Sequence, residues 1–285
     1  MKKGVFLGFF IGFILLAFTL KDINWQETLL LLKRVNFLPI FLGLIFLGIN
    51  LFLKTYRWRI LLDSPVLPSR IFAILTIGYL VNNLLPARAG ELARIYLMGR
   101  KEGVGMSKTL GTIIIEKTLD TFVLILILFW FGITKPVFLG IVLPQKWQER
   151  LKLLFSGLKL LKNRKILLKL LLFSFLIWTL EAFWNYSLLC SLNLKVPLVA
   201  AFFLAAVINL GLFIPSPPGY VGVFHFWATF ALLPFGVDKS QALSYALLQH
   251  SFEYFILSSL GIWSAIKLSF NPLKWKKKNT SKCIS

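Results

Sequence analysis

Thiols, imidazoles and carboxylates are all scarce in this chain. Its two cysteines, Cys190 and Cys283, have no C-x-x-C spacing and form no disulfide framework. With His225 and His250 the only histidines, a zinc site is not expected. No Ser-His-Asp set and no glycine-rich phosphate loop occurs, so catalysis has no visible centre and neither cofactor nor metal is expected. Eleven Asp and Glu stand against 32 Lys and Arg, a net charge of +21. In a soluble protein such an excess suggests nucleic acid. Here the positives cluster in short loops between apolar runs, with no recognisable binding module beside them. That is the positive-inside pattern of a membrane protein, with attraction to anionic headgroups, and no nucleic-acid partner is expected.

What the chain has instead is long apolar runs. Of its 285 residues 58% are hydrophobic, and the mean hydropathy is +0.78. Apolar segments fall at 4–20, 37–53, 71–86, 109–133, 136–144, 166–190, 197–214, 219–235 and 241–268. A helix needs about 20 apolar residues to cross a core of about 30 Å, and backbone in lipid must satisfy itself internally. The alternating ten-residue pattern of an outer-membrane barrel is missing. The first run follows Lys2 and Lys3 with no small-x-small cleavage site before Lys21, so it reads as an uncleaved span.

Several runs are too short to cross. Residues 71–86 cover only about 24 Å and end in Asn82-Asn83-Leu84-Leu85-Pro86, polar and helix-breaking. Segments 54–70 and 87–108 on either side are rich in Lys and Arg and read as cytoplasmic loops, so 71–86 is expected to enter and leave on one side. The basic segment 145–165 reads as cytoplasmic too, with an amphipathic surface helix over 150–162; the short run 136–144 must lead back to it. The expectation is an all-α polytopic membrane protein with about six full spans plus two re-entrant helix pairs. Residues 1–270 form one transmembrane domain and 271–285 a Lys-rich tail, with both termini cytoplasmic.

The chain also aligns with itself. Gly103-Val104 falls on Gly236-Val237, Ser107 on Ser240, Glu116 on Gln249, Lys117 on His250 and Asp120 on Glu253. Pro86-Ala-Arg-Ala-Gly90 matches Pro215-Ser-Pro-Pro-Gly219 after a four-residue gap. The loop before the first long helix holds five positives; its counterpart, residues 220–240, holds only Lys239. Half-repeats of roughly 71–133 and 200–268 are therefore expected to run in opposite senses, as in many transporters. In such folds the matching interruptions, here 82–91 and 209–222, mark the binding site.

Glu116 and Asp120 share one helix face. They read either as a headgroup or coupling-ion site, or as groups near the cytoplasmic end paired with Arg88 or Arg94. Arg88 and Arg94, with Glu91 between them, are the candidates for gripping a phosphate, since Arg offers a bidentate fork; the competing reading is plain topology. Asn82 and Asn83 precede the first break. His225, Gln249, His250 and Glu253 form a second polar group, able to relay protons or simply to hydrogen-bond across helices. Pro86, Pro215 and Pro218 are read as helix breaks, and Gly90, Gly219 and Gly222 as tight turns.

The run from Asn82 through Pro86, Arg88, Gly90, Glu91 and Arg94, followed by Glu116-Lys117-x-x-Asp120, resembles the membrane domain of lysylphosphatidylglycerol synthetases. Stand-alone copies are the flippase-like, or UPF0104, proteins. Pro215-Ser-Pro-Pro-Gly219-Tyr-Val-Gly222 is similar to that family's Pro-Gly-x-x-Gly segment, and the likeness covers nearly the whole chain. Lys117 stands where the family usually has Arg, and His225 where an acidic residue is common. Members that make aminoacyl lipids carry a separate transferase domain. Only about fifteen residues follow the last span, so lipid synthesis is not expected. The resemblance implies movement of an anionic or lipid-linked headgroup between leaflets of the cytoplasmic membrane. The alternative is a non-catalytic partner of a glycosyltransferase or lipid-modifying enzyme.

Overall fold

A computed structural model describes residues 2–86, 88–134, 164–214 and 216–271, and among them every regular element is helical. Ten α-helices follow in order: α1 Lys2–Leu20, α2 Trp25–Lys33, α3 Phe37–Leu62, α4 Pro68–Leu84 and α5 Ala89–Lys101, then α6 Met106–Thr134, α7 Arg164–Ser191, α8 Leu198–Gly211, α9 Val223–Leu232 and α10 Lys239–Lys267. The order long, short, short, long thus occurs twice, as α3 to α6 and as α7 to α10. The segment 136–144, the surface helix expected over 150–162, Pro215 and the tail beyond 271 lie outside the described residues.

The outer surface is oily. Phe6, Phe13, Phe18, Phe41, Leu168, Phe175, Phe255 and Ile266 are all exposed, which no soluble fold tolerates in such number. α3 and α7 are long and apolar enough to cross a membrane, and α1 from Phe6 with α2 would make a further span bent by 91°. The chain is a polytopic helical membrane protein.

The most extensive helix contact is α3 against α7. It is close because Gly43 of α3 has no Cβ to strike Trp184 and Ser187 of α7. α10 lies as tightly on α4: a Cβ at Gly261 would come within 2.7 Å of the Thr76 carbonyl oxygen, and Thr76 Oγ1 donates to Ser264 Oγ at 2.8 Å. α4 packs against α5 and α8 against α9, each pair making a helical hairpin. α1 rests on α9 and α2 on α10.

Two sequence expectations change here. Residues 54–62 and 89–101 are not loop: the first continue α3 and the second form α5. α3 continues through Lys54 and Arg57 to Leu62 and ends only at Asp63, whose left-handed backbone (φ 41°) stops it ahead of Pro65 and Pro68. Long unbranched side chains are good helix formers, so the charges did not break the helix. α2 was not anticipated. Its signal was a cap: Asn24 accepts from Glu27 N at 3.2 Å, an Asn-x-x-Glu start with the acidic group in the first turn.

Gly261→Leu tests the α4–α10 contact. Overpacking of this kind costs about 1–3 kcal/mol. Thermal unfolding of the purified protein in detergent should show a clear drop in melting temperature; an unchanged value would place the two helices further apart.

Candidate functional site

The two helical hairpins meet at their breaks. α4 ends at Leu84; Leu85 is extended, as a residue before proline must be, and Pro86 turns the chain away. The turn into α5 is made by Arg88 itself, in the left-handed region at φ 53°. Gly90, expected to turn the chain, is instead helical and buried. It is small because α4 lies against it: a Cβ there would sit 2.6 Å from Asn82 Oδ1, which accepts from Gly90 N at 2.7 Å. The second break does use glycine geometry. Gly219 (φ 65°) and Gly222 (φ 84°) hold conformations that L side chains rarely adopt, with Pro218 opening a short 3-10 turn between the helices. Arg88 bridges the two: Nη2 donates to the Leu212 carbonyl at 2.7 Å and the guanidinium lies over the Phe213 ring, 4.6 Å from its centroid.

Between these breaks and the long helices lies a cavity of about 230 Å³. Five cations and five carboxylates face it. Arg94 makes a bidentate pair with Glu116, at 3.1 and 2.9 Å, while its guanidinium sits 3.9 Å from the Trp58 ring centroid. Trp58 is fixed in turn by donating to Thr112 Oγ1 at 3.1 Å. Arg57, only 1% exposed, forks onto Asp120, with Nη2 to Oδ2 at 3.0 Å, and its Nη1 donates to Ser174 Oγ at 2.7 Å. Trp178 Nε1 adds a third bond to Asp120, at 3.2 Å. Lys54 lies 3.5 Å from Glu181, which also accepts from Asn50 Nδ2, and Lys117 lies 3.9 Å from Glu91. Charges in a bundle interior persist only when compensated in this way.

That leaves two. Among the described residues Arg88 has no carboxylate within ion-pair distance, and Glu253 has no cation. Glu253 Oε1 instead accepts from the indole Nε1 of Trp184 at 3.0 Å and from Gln249 Nε2 at 3.3 Å. Gln249 is held by Asn185 and by the hydroxyl of Tyr245.

Residues 5–144 and 141–261 match the transmembrane region of lysylphosphatidylglycerol synthase. The chain belongs to that family. Two archaeal relatives carry the description UPF0104 membrane protein. The one from Methanocaldococcus jannaschii is 27% identical over 69% of this chain and 97% of its own length. The one from Methanothermobacter thermautotrophicus is 24% identical over 88% of this chain and 92% of its own. No solved structure matches significantly.

In this family member the cavity gathers most of the residues singled out in sequence. Asn82, Asn83, Arg88, Glu91, Arg94, Glu116, Asp120, Gln249, His250 and Glu253 all face it. His225 does not: it lies one layer behind, stacked on His250 with ring centroids 4.8 Å apart, and its Nδ1 has no hydrogen-bond partner. Of the pairings open in sequence, Arg94 takes Glu116. Asp120 takes neither Arg88 nor Arg94 but Arg57, a residue assigned above to a cytoplasmic loop. Lys54, Tyr79, Trp178 and Glu181 were likewise missed. The signal for them was the face: Asn50, Lys54 and Arg57 recur at helical spacing, and Glu181 is the one acid in a 25-residue apolar run.

The Arg57–Asp120 pair can be tested by a double-mutant cycle. Asp120→Leu strands a buried guanidinium and should cost about 3 kcal/mol, Arg57→Met strands the carboxylate, and the two changes combined should cost less than Asp120→Leu alone. Melting temperatures of the three variants decide it; simple additivity would show that the pair is not coupled.

Proposed function

We propose that the protein translocates an anionic lipid or lipid-linked headgroup across the cytoplasmic membrane. The observation carrying this is Arg88: a guanidinium with no carboxylate within ion-pair distance among the described residues, in the wall of a polar cavity, where two helix breaks meet inside an oily bundle. Arg is the side chain suited to a phosphodiester, and an uncompensated cation at such depth is a standing attraction for an anion. The cavity suits a headgroup rather than a whole lipid, being smaller than the roughly 300–1,000 Å³ of drug-sized pockets.

The proposed architecture is an inverted repeat, α3 to α6 against α7 to α10, with about six spans and two re-entrant hairpins. Packing supports it, because contacts come in exchanged pairs: α6 packs on α8 as α10 packs on α4, and α3 on α4 as α7 on α8. Side chains follow the same exchange. Lys54 and Arg57 of α3 have the spacing of Glu181 and Trp184 of α7. Arg57 bonds Asp120 of α6, and Trp184 bonds Glu253 of α10. Alternating access then follows from one half rocking against the other. Transport rather than catalysis is the role, and both termini face the cytoplasm.

Two measurements test this. Reconstituted protein should move fluorescent or native anionic lipids between leaflets, and Arg88→Gln should slow that at least about tenfold, the loss expected for one charge-assisted contact, without unfolding the protein. Failure to move any lipid across a broad panel would sink the reading. For topology, in a cysteine-free background, Glu102→Cys should react with an impermeant reagent from the cytoplasmic side and Lys239→Cys from the opposite side. Labelling of both from one side would end the inverted repeat.

A further inference from the structure

Glu253 occupies, in the second half, the place that Asp120 has in the first. Asp120 is neutralised by Arg57; at Glu253 the guanidinium is replaced by the indole N–H of Trp184. Neutral donors solvate a carboxylate but do not cancel its charge. The charged and titratable groups around it are Lys54 of α3, already paired with Glu181 of α7, Tyr79 of α4, His225 of α9, and Tyr245, His250 and Tyr254 of α10 itself. α8 offers the cavity only Ile208 and Asn209, and α2 meets α10 at Gln241, through Glu27.

We propose that Glu253 is the proton-binding site of the cavity, and that one proton is taken up with each anionic headgroup. This rests on the reading of the cavity as an anionic-headgroup site and names its coupling ion. With all ten lining charges ionised, the empty cavity is neutral: four pairs cancel, and Arg88 offsets Glu253 across it. A phosphodiester that takes Arg88 brings one further negative charge, and the site is left with Glu253 uncompensated in a bundle interior. A proton from water, bound to a carboxylate oxygen of Glu253 to give the neutral acid, restores zero. No other bond forms or breaks. Because each uptake relieves the charge left by the other, the two are linked, and the linkage is reciprocal. Among the described residues Glu253 is the one lining carboxylate with no cation within ion-pair distance, and protonation of Glu116, Asp120 or Glu181 would strand the cation each one holds. Protonation of Glu116, for example, would leave Arg94 alone.

The test is binding of a short-chain phosphatidylglycerol to the purified full-length protein, followed by calorimetry from about pH 5 to 8, in buffers of different ionisation heat. The probe is a phosphodiester of constant charge over this range, whereas histidine titrates within it. The wild type should take up about one proton per lipid, and above the titration of the site its affinity should fall about tenfold per pH unit. Glu253→Gln should bind without proton uptake and without that slope. Glu253→Asp and His250→Gln should retain both. Should the glutamine variant fail to fold, the wild-type proton count and the aspartate variant still decide. Wild-type binding with no proton uptake, a slope surviving in Glu253→Gln, or one lost in His250→Gln overturns the coupling and leaves the headgroup site standing. No binding by the wild type at any pH overturns the headgroup site, and the coupling with it.

Discussion

A guanidinium or carboxylate inside an oily bundle is costly without its opposite beside it, and that cost shapes the helix contacts made by the first half of this protein. Each ion pair there joins two helices: Lys54–Glu181 ties α3 to α7, Arg57–Asp120 ties α3 to α6, and Arg94–Glu116 with Lys117–Glu91 tie α5 to α6. The pairs are oriented by neutral groups around them, Ser174 and Trp178 at one, Trp58 and Thr112 at another. Packing then closes over a wall whose charges are already settled. Buried ion pairs are poor stabilisers in themselves but costly to break singly, so they fix which helices meet.

In the second half Glu253 has neutral hydrogen-bond donors beside it instead of a cation. Asn185, Tyr245, Gln249 and Trp184 form a chain that ends on Glu253. Its helices are smaller in their contacts too, with Ala200, Ala201, Ala205 and Ala206 of α8 all buried, as expected where helices approach by van der Waals packing rather than by charge. Two halves of like helix order thus have different chemistry across one cavity.

Much of this was legible in the sequence. Long apolar runs bound the fold class, and the prolines with Asn82, Asn83 and Asn209 marked both breaks, because a helix must end there whatever surrounds it. Of the eleven polar positions that stood out against apolar neighbours, all but His225 line the cavity. What escaped did so for a physical reason. Loop charge and buried charge look alike in sequence, so Lys54 and Arg57 were read as topology until α3 was seen to run through them. Gly90 looked like a turn because glycine serves both for positive φ and for close approach, and only the distance to Asn82 separates the two. Arg88 took the left-handed turn that glycine usually takes.

α1 and α2 add an asymmetry of another kind. α1 lies so close to the second break that Gly12 admits Gly222 and Pro217 with no side chain of its own, and α2 continues the same element onto α10. Among the described residues no corresponding arm clasps α4 and α5. The two hairpins are therefore held differently: α9 is strapped by the amino-terminal arm, whereas α4 is gripped by α10 and α3, and α5 by α6. Loss of the arm would uncover the second break and one side of α10, while the packing of α10 on α4 stayed in place.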